Sequence, residues 1–197
     1  MSLLLAALML IAPRLAPARI PVAQTRAPHA APATHLRLLS TSFRNLRAIP
    51  VEHTCDAAAP VSEELHWTGA PTGTQSFALV LFDPDARPPK GFVHWVAYDI
   101  PATVHAIPSG KNDQATLTAD GAQLGTNGDN GRGKPGFIPS CPPPGAPHHY
   151  TFTLYALSVP SLGLQPGATR DQLLAAIKDK VLGQARLVGL YSRARKK

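Results

Sequence analysis

Two neighbouring stretches, Ser76-Phe-Ala-Leu-Val-Leu-Phe-Asp-Pro-Asp-Ala86 and Val93-His-Trp-Val-Ala-Tyr-Asp-Ile-Pro101, decide the fold. Residues 76–82 form a nearly continuous apolar run, which predicts a strand buried on both faces. Residues 94–100 predict the next strand, ended by Pro101. Asp83 and Asp85 are two apart, so in an extended segment both project to one side. Pro84 cannot donate to a ladder, and Pro88-Pro89 stop any helix. The pattern delivers two carboxylates to a strand end and opens the following strand with a histidine.

Outward from this pair, residues 36–43 read as a first strand, with imperfect alternation. Residues 47–75 read as short strands and turns around Leu65-His66-Trp67. Residues 105–147, rich in Gly, Pro and Asn, contain no long element, whereas 149–157 are aromatic and β-branched and predict a strand. One helix is well marked. Thr169-Arg-Asp-Gln172 is a capping box, Leu173, Leu174, Ile177 and Val181 follow with helical spacing, and Gly183 is the expected terminator. Residues 185–191 predict a last strand. Strands and helices do not alternate, which disfavours a parallel α/β sheet. The expected fold is mostly β, an antiparallel sandwich with one or two peripheral helices. The division is a leader over 1–34, a domain over 35–193 and a basic tail over 194–197.

Composition supports a single loop-rich domain: 44% of the 197 residues are hydrophobic, and 21 prolines and 15 glycines imply many turns. The net charge of +7 suggests nucleic acid until it is placed. Residues 1–28 hold three arginines and no acid, residues 193–197 hold four cations, and the other 12 cations balance all 12 acids. A neutral body argues against a nucleic-acid groove, which needs cations on the folded surface. The basic C-terminus reads first as a solvated tail, with peripheral contact with anionic membrane as the alternative. The apolar run over 1–12 is too short to span a bilayer. It has the length of a signal-peptide core, with Ala16-Pro17-Ala18 as a cleavage site, although no Lys or Arg precedes it. The expected location is therefore periplasmic or secreted, with the cytoplasm as the alternative. Cys55 and Cys141 form no C-x-x-C pair, against a zinc site. An exported chain would pair them in one disulfide; a cytosolic chain would keep two thiols.

Four further features bear on chemistry. His94 opens a strand. His148 and His149 precede another, where adjacent residues face opposite ways, so a pocket takes one of them; if it is His148, Tyr150 faces in as well. Gly128, Gly133 and Lys134 fit a phosphate-loop spacing, but Pro135 stands where Ser or Thr is needed and no strand is predicted before it, so a nucleotide loop is rejected. Cys141-Pro-Pro-Pro-Gly-Ala-Pro147 suits a rigid wall beside a pocket. No G-x-S-x-G elbow is present, and no metal or cofactor is called for, although His94, His148 and one Asp could chemically hold a metal.

The set Asp83-Pro-Asp-Ala86, His94-Trp-Val and Cys141-Pro-Pro-Pro-Gly with His148-His-Tyr150 resembles the phosphatidylethanolamine-binding protein family, in its bacterial and archaeal branch. Ile49-Pro50, Thr54-Cys-Asp56, Leu65-His-Trp67, Gly125-x-Asn127 and Leu187-Val-Gly-Leu-Tyr-Ser192 continue the resemblance in order over residues 35–193. It implies a Greek-key β-sandwich with a small anion pocket at the strand ends, lined by Asp83, Asp85, His94, Pro143, His148 and Tyr150. It implies a non-enzymatic binder or modulator whose ligands are phosphate or phospholipid headgroups, anionic or zwitterionic. Two alternatives are an inhibitor of a serine protease or kinase acting through a rigid loop, and a hydrolase using the acids and histidines. Arg87, where the family usually has Pro, and Pro139-Ser140, where the bacterial branch usually has Gly-Pro, depart from the pattern at the pocket rim. An anion pocket with two carboxylates is best reconciled if an Asp orients a histidine and favours its charged form. Binding should then strengthen at mildly acidic pH.

Overall fold

The computed structural model describes residues 35–86, 90–110, 112–119 and 122–194. The leader, Arg87 and the end of the basic tail lie outside them. Ten strands follow in order: β1 (Arg37–Leu39), β2 (Arg47–Ala48), β3 (Leu65–Thr68), β4 (Ser76–Asp83), β5 (Phe92–Pro101), β6 (Ala106–Ile107), β7 (Thr116–Ala119), β8 (Ala122–Asn127), β9 (His148–Leu157) and β10 (Val181–Tyr191). One helix, α1 (Arg170–Ile177), lies between β9 and β10, and Val51–His53 make a single 3-10 turn. A seven-stranded sheet runs β2-β10-β9-β4-β5-β8-β7 and a three-stranded sheet runs β1-β3-β6. Every pairing between these described strands is antiparallel except β2 with β10, which is parallel and makes the large sheet mixed. The expected all-antiparallel arrangement is corrected there: the short edge strand enters beside Gly189 and Leu190 in the same direction as β10.

The continuous apolar run of β4 is explained by its place at the centre of the large sheet. Phe77, Leu79 and Leu81 face one core, shared with Leu38, Leu65, Trp67 and Ile107 of the small sheet. Trp67 meets Phe77 edge-on at 5.3 Å between ring centroids, joining the two sheets. Ala78 and Val80 face the opposite core, closed by Leu173 and Ile177 of α1. The helix starts as expected: the Thr169 side chain accepts from the Gln172 N–H, and the Gln172 side chain accepts from the Thr169 N–H. It ends earlier than expected. Gly183 does not terminate it, because the chain leaves the helix after Ile177 and Val181 already begins β10, where Gly183 lies at an irregularity in the pairing with β9.

The expected irregular stretch hides the hairpin of β7 and β8. Asn127, at the end of β8, is fully buried; its side chain accepts from Trp95 Nε1 at 2.8 Å and donates to the Gln114 carbonyl at 2.8 Å. A strand thus does precede residues 128–136, against expectation. No helix follows, as the Asn130 side chain holds a turn by accepting from the Arg132 N–H and donating to the Gly136 carbonyl. A disulfide joins Cys55 and Cys141 across 86 residues. The same junction is sewn by a hydrogen bond from the Cys55 N–H to the Ser140 carbonyl. On the chain-entropy model such a closure stabilises by roughly 4–5 kcal/mol. Replacing Cys141 with Ser should lower the unfolding free energy by about 2–5 kcal/mol in denaturant titrations of the oxidised protein; a loss below about 0.5 kcal/mol would contradict this role.

Glu63, just before β3, is fully buried, and neither carboxyl oxygen has a hydrogen-bond partner. Burial pushes its pKa up from 4.5 to about 8. The folded chain therefore holds a proton that the unfolded chain releases. The stability is fully present below pH 4.5 and is lost as pH rises towards about 8. Glu63→Gln should remove this slope, so its stability advantage over the natural protein should grow between pH 5 and pH 8, by at most about 1.4 kcal/mol per unit. A gap constant across that range in denaturant titrations would rule it out.

Candidate functional site

Three strand ends meet at one corner of the large sheet. The last residues of β4 pair with the first of β5 (Asp83 with Phe92) and of β9 (Phe82 with Thr151). Asp83, His94 and His148 are thereby gathered from distant parts of the sequence. The entry into β5 needs Gly91: its φ is +69°, and a Cβ there would strike the Phe82 ring and approach the Asp83 carbonyl at 2.9 Å. The corner opens into a cavity of about 410 Å³ lined by Asp83, Asp85, Phe92, His94, Arg132 and His148. Its other side is Ile138, Pro139, Cys141, Pro142 and Pro143, the stiff wall expected from the sequence.

Asp83 is 2% exposed, and three hydrogen bonds offset the cost of burying it. Its Oδ1 accepts from the backbone N–H groups of Asp85 (2.9 Å) and Ala86 (3.1 Å), and its Oδ2 accepts from His148 Nδ1 at 2.7 Å. Asp85 does not orient a cavity histidine. Its Oδ2 accepts from the His149 N–H (2.7 Å) and from His149 Nδ1 (2.8 Å), clamping the rim from outside. Burial would raise the Asp85 carboxyl, but the His149 hydrogen bonds prevail and hold it below the usual carboxylate range. His148 faces the cavity and His149 faces away, as alternation along a strand requires.

His94 is 4% exposed, and its Nδ1 lies 3.0 Å from the Ile138 carbonyl. Its ring packs edge-on against Phe92 (4.9 Å) and Tyr150 (5.2 Å). Burial pushes the imidazole below its ordinary range; the Ile138 hydrogen bond and Asp83 oppose the shift, and the Arg132 guanidinium adds to it. The expected arrangement, an Asp holding a pocket histidine in its charged form, does not apply to His94, which is held by a backbone carbonyl and whose charged form burial disfavours. Tyr150 departs from expectation too. It is fully buried behind His94 and supports its ring, and it is not among the residues lining the cavity. Burial, with the Asp83 charge, holds its phenol well above the usual range.

Sequence reasoning missed Arg132, the cation among the described lining residues. It sits in the Gly-rich turn dismissed as a nucleotide loop. Gly131 presses that turn onto Phe92, where a Cβ would come within 2.6 Å of the ring, and so brings Arg132 to the cavity. Among the described residues no group of three or more His, Cys, Asp or Glu is arranged to hold a metal ion.

His94 also sets a pH signature. Its folded pKa is depressed below the ordinary 6.5, so the unfolded chain takes up the proton first and stability is lost as pH falls below 6.5. His94→Gln should flatten this loss in denaturation curves between pH 7 and pH 5; an unchanged slope would show that His94 charges as readily folded as unfolded.

A family model described as Phosphatidylethanolamine-binding protein matches residues 39–192. The chain is 40% identical over 159 residues to a UPF0098 protein of Aquifex aeolicus, covering 80% of this chain and 89% of that protein. It is 39% identical over 170 residues to LppC of Mycobacterium tuberculosis, named as a candidate lipoprotein, covering 86% of this chain and 77% of that one. Among solved structures it is similar to Escherichia coli YbcL, described as a new member of the mammalian PEBP family. The TM-score is 0.72 at 27% identity, covering 81% of this chain and 99% of YbcL.

Proposed function

The chain belongs to the phosphatidylethanolamine-binding protein family, and from that premise we propose that it is a binding protein, not an enzyme, whose corner cavity takes phosphate or a phosphorylated headgroup. The observation that carries the reading is the convergence of Arg132 and two anchored imidazoles, His94 and His148, on one small cavity. Arg132 supplies a permanent charge suited to phosphate oxygens. The Asp83 charge is already met by three donors, so it holds His148 in place and does not simply repel an anion. Among the described residues that line the cavity there is no Ser, Thr or Lys, and the Cys141 sulfur is bound in the disulfide. Both facts favour binding over covalent catalysis.

We read the chain as extracytoplasmic. A disulfide in the cavity wall fits an oxidising compartment, and the likeness to LppC points the same way.

Imidazole acceptors facing an anion favour the uptake of a proton as phosphate binds. Affinity for inorganic phosphate should therefore rise as pH falls from 8 to 6, by up to about tenfold per unit, as for uptake of one proton. Asp83→Asn, which weakens the anchor of His148, should cost about tenfold or more in affinity at pH 6.5 by isothermal titration calorimetry. Binding that is indifferent to both pH and Asp83→Asn would overturn the reading.

A further inference from the structure

We propose that the cavity selects phosphate groups that carry a P–OH, meaning inorganic phosphate and phosphomonoesters, over phosphodiesters, which have none. The inference rests on reading the cavity as a phosphate site and narrows the ligand to one chemical class. The Ile138 carbonyl can only accept, so His94 Nδ1, 3.0 Å away, carries a proton. His148 Nδ1 likewise donates to Asp83 Oδ2 at 2.7 Å. A neutral imidazole protonated at Nδ1 presents an acceptor, not a donor, at Nε2. His148 Nε2 has no hydrogen-bond partner among the described residues and is not sealed from solvent, whereas the His94 ring has the Pro139 carbonyl as a second backbone neighbour. His148 lines the cavity, so its Nε2 lone pair is available to a ligand there.

The other groups in the wall deepen the imbalance. Asp85 directs Oδ2 to His149 at the rim. Pro139, Pro142 and Pro143 have no N–H to offer. Against these acceptors stands, among the described lining residues, one cationic donor, Arg132. The charged and titratable neighbours of His94 are Asp83, Arg132 and, behind its ring, Tyr150, and those of His148 are Asp83 and Asp85. A ligand with only oxygen acceptors satisfies Arg132 and leaves His148 Nε2 facing lone pair to lone pair. A phosphomonoester can give an anionic oxygen to Arg132 and its P–OH to His148 Nε2. Sites built to receive a hydroxyl proton reject analogues that lack it, because their own polar groups are left unpaired.

The test uses the full-length natural protein at pH 6.5, near the second pKa of a phosphomonoester at about 6. Isothermal titration calorimetry compares methyl phosphate with dimethyl phosphate, and with sulfate as a proton-free dianion that controls for charge. Phosphoethanolamine against glycerophosphoethanolamine asks the same question of a free phosphomonoester and of a lipid-type diester headgroup. Methyl phosphate and phosphoethanolamine should each bind at least about tenfold more tightly than the partner lacking the proton. Arg132→Gln should weaken methyl phosphate and dimethyl phosphate alike and leave their ratio unchanged. Dimethyl phosphate or sulfate binding within about threefold of methyl phosphate, or a ratio that collapses in Arg132→Gln, would overturn the selectivity while leaving the phosphate site standing. Binding of none of these ligands would overturn both.

Discussion

The hydrogen bond between Asp83 and His148, at 2.7 Å, is the contact on which the corner of this protein depends. It joins the end of β4 to the start of β9, so it can form only when the two strands are paired in their observed register. A slip of one residue would turn Asp83 or His148 to the opposite face. The carboxylate is almost fully buried and is tolerated because each oxygen is engaged by a donor. Packing of the strands and orientation of the imidazole are thus one event, and the cavity inherits its geometry from the sheet.

The other imidazole is held by different means. His94 is fixed by a backbone carbonyl and by two aromatic rings, in a setting dry enough to favour its neutral form. Its wall is tethered twice: the Ile138 N–H donates to the His94 carbonyl, and Cys141 is tied to Cys55. A charged rim, Arg132 and the Asp85–His149 clamp, surrounds a largely apolar wall. Such a site is preorganised, and preorganisation is where a small cavity gains affinity.

Much of this was legible in the chain. The runs of β4, β5 and β9 are strongly patterned because they sit at the centre of the sheet, and the capping box of α1 is a local signal with a local cause. Asp83, His94 and His148 stood out because strand ends collect residues from distant segments. Arg132 was not legible. Nothing local distinguishes an arginine in a Gly-rich turn, and only the contact of that turn with Phe92 gives it a place. Tyr150 shares the facing of His148, but periodicity cannot tell a residue that lines a cavity from one buried beneath it. The β7–β8 hairpin was hidden because short strands between glycines carry little alternation. The exit from α1 was misread because Val181 fits the helical spacing although the chain has already turned into β10.

The most direct test is a long-range 1H–15N correlation spectrum of the histidine side chains at pH 7.5 in the ligand-free protein. His94 and His148 should each show a protonated, pyrrole-type Nδ1, and His148 a bare, pyridine-type Nε2 whose signal added inorganic phosphate should shift towards the protonated form. A proton-bearing His148 Nε2 in the free protein, or a signal that does not respond to phosphate, would contradict an acceptor-lined phosphate site.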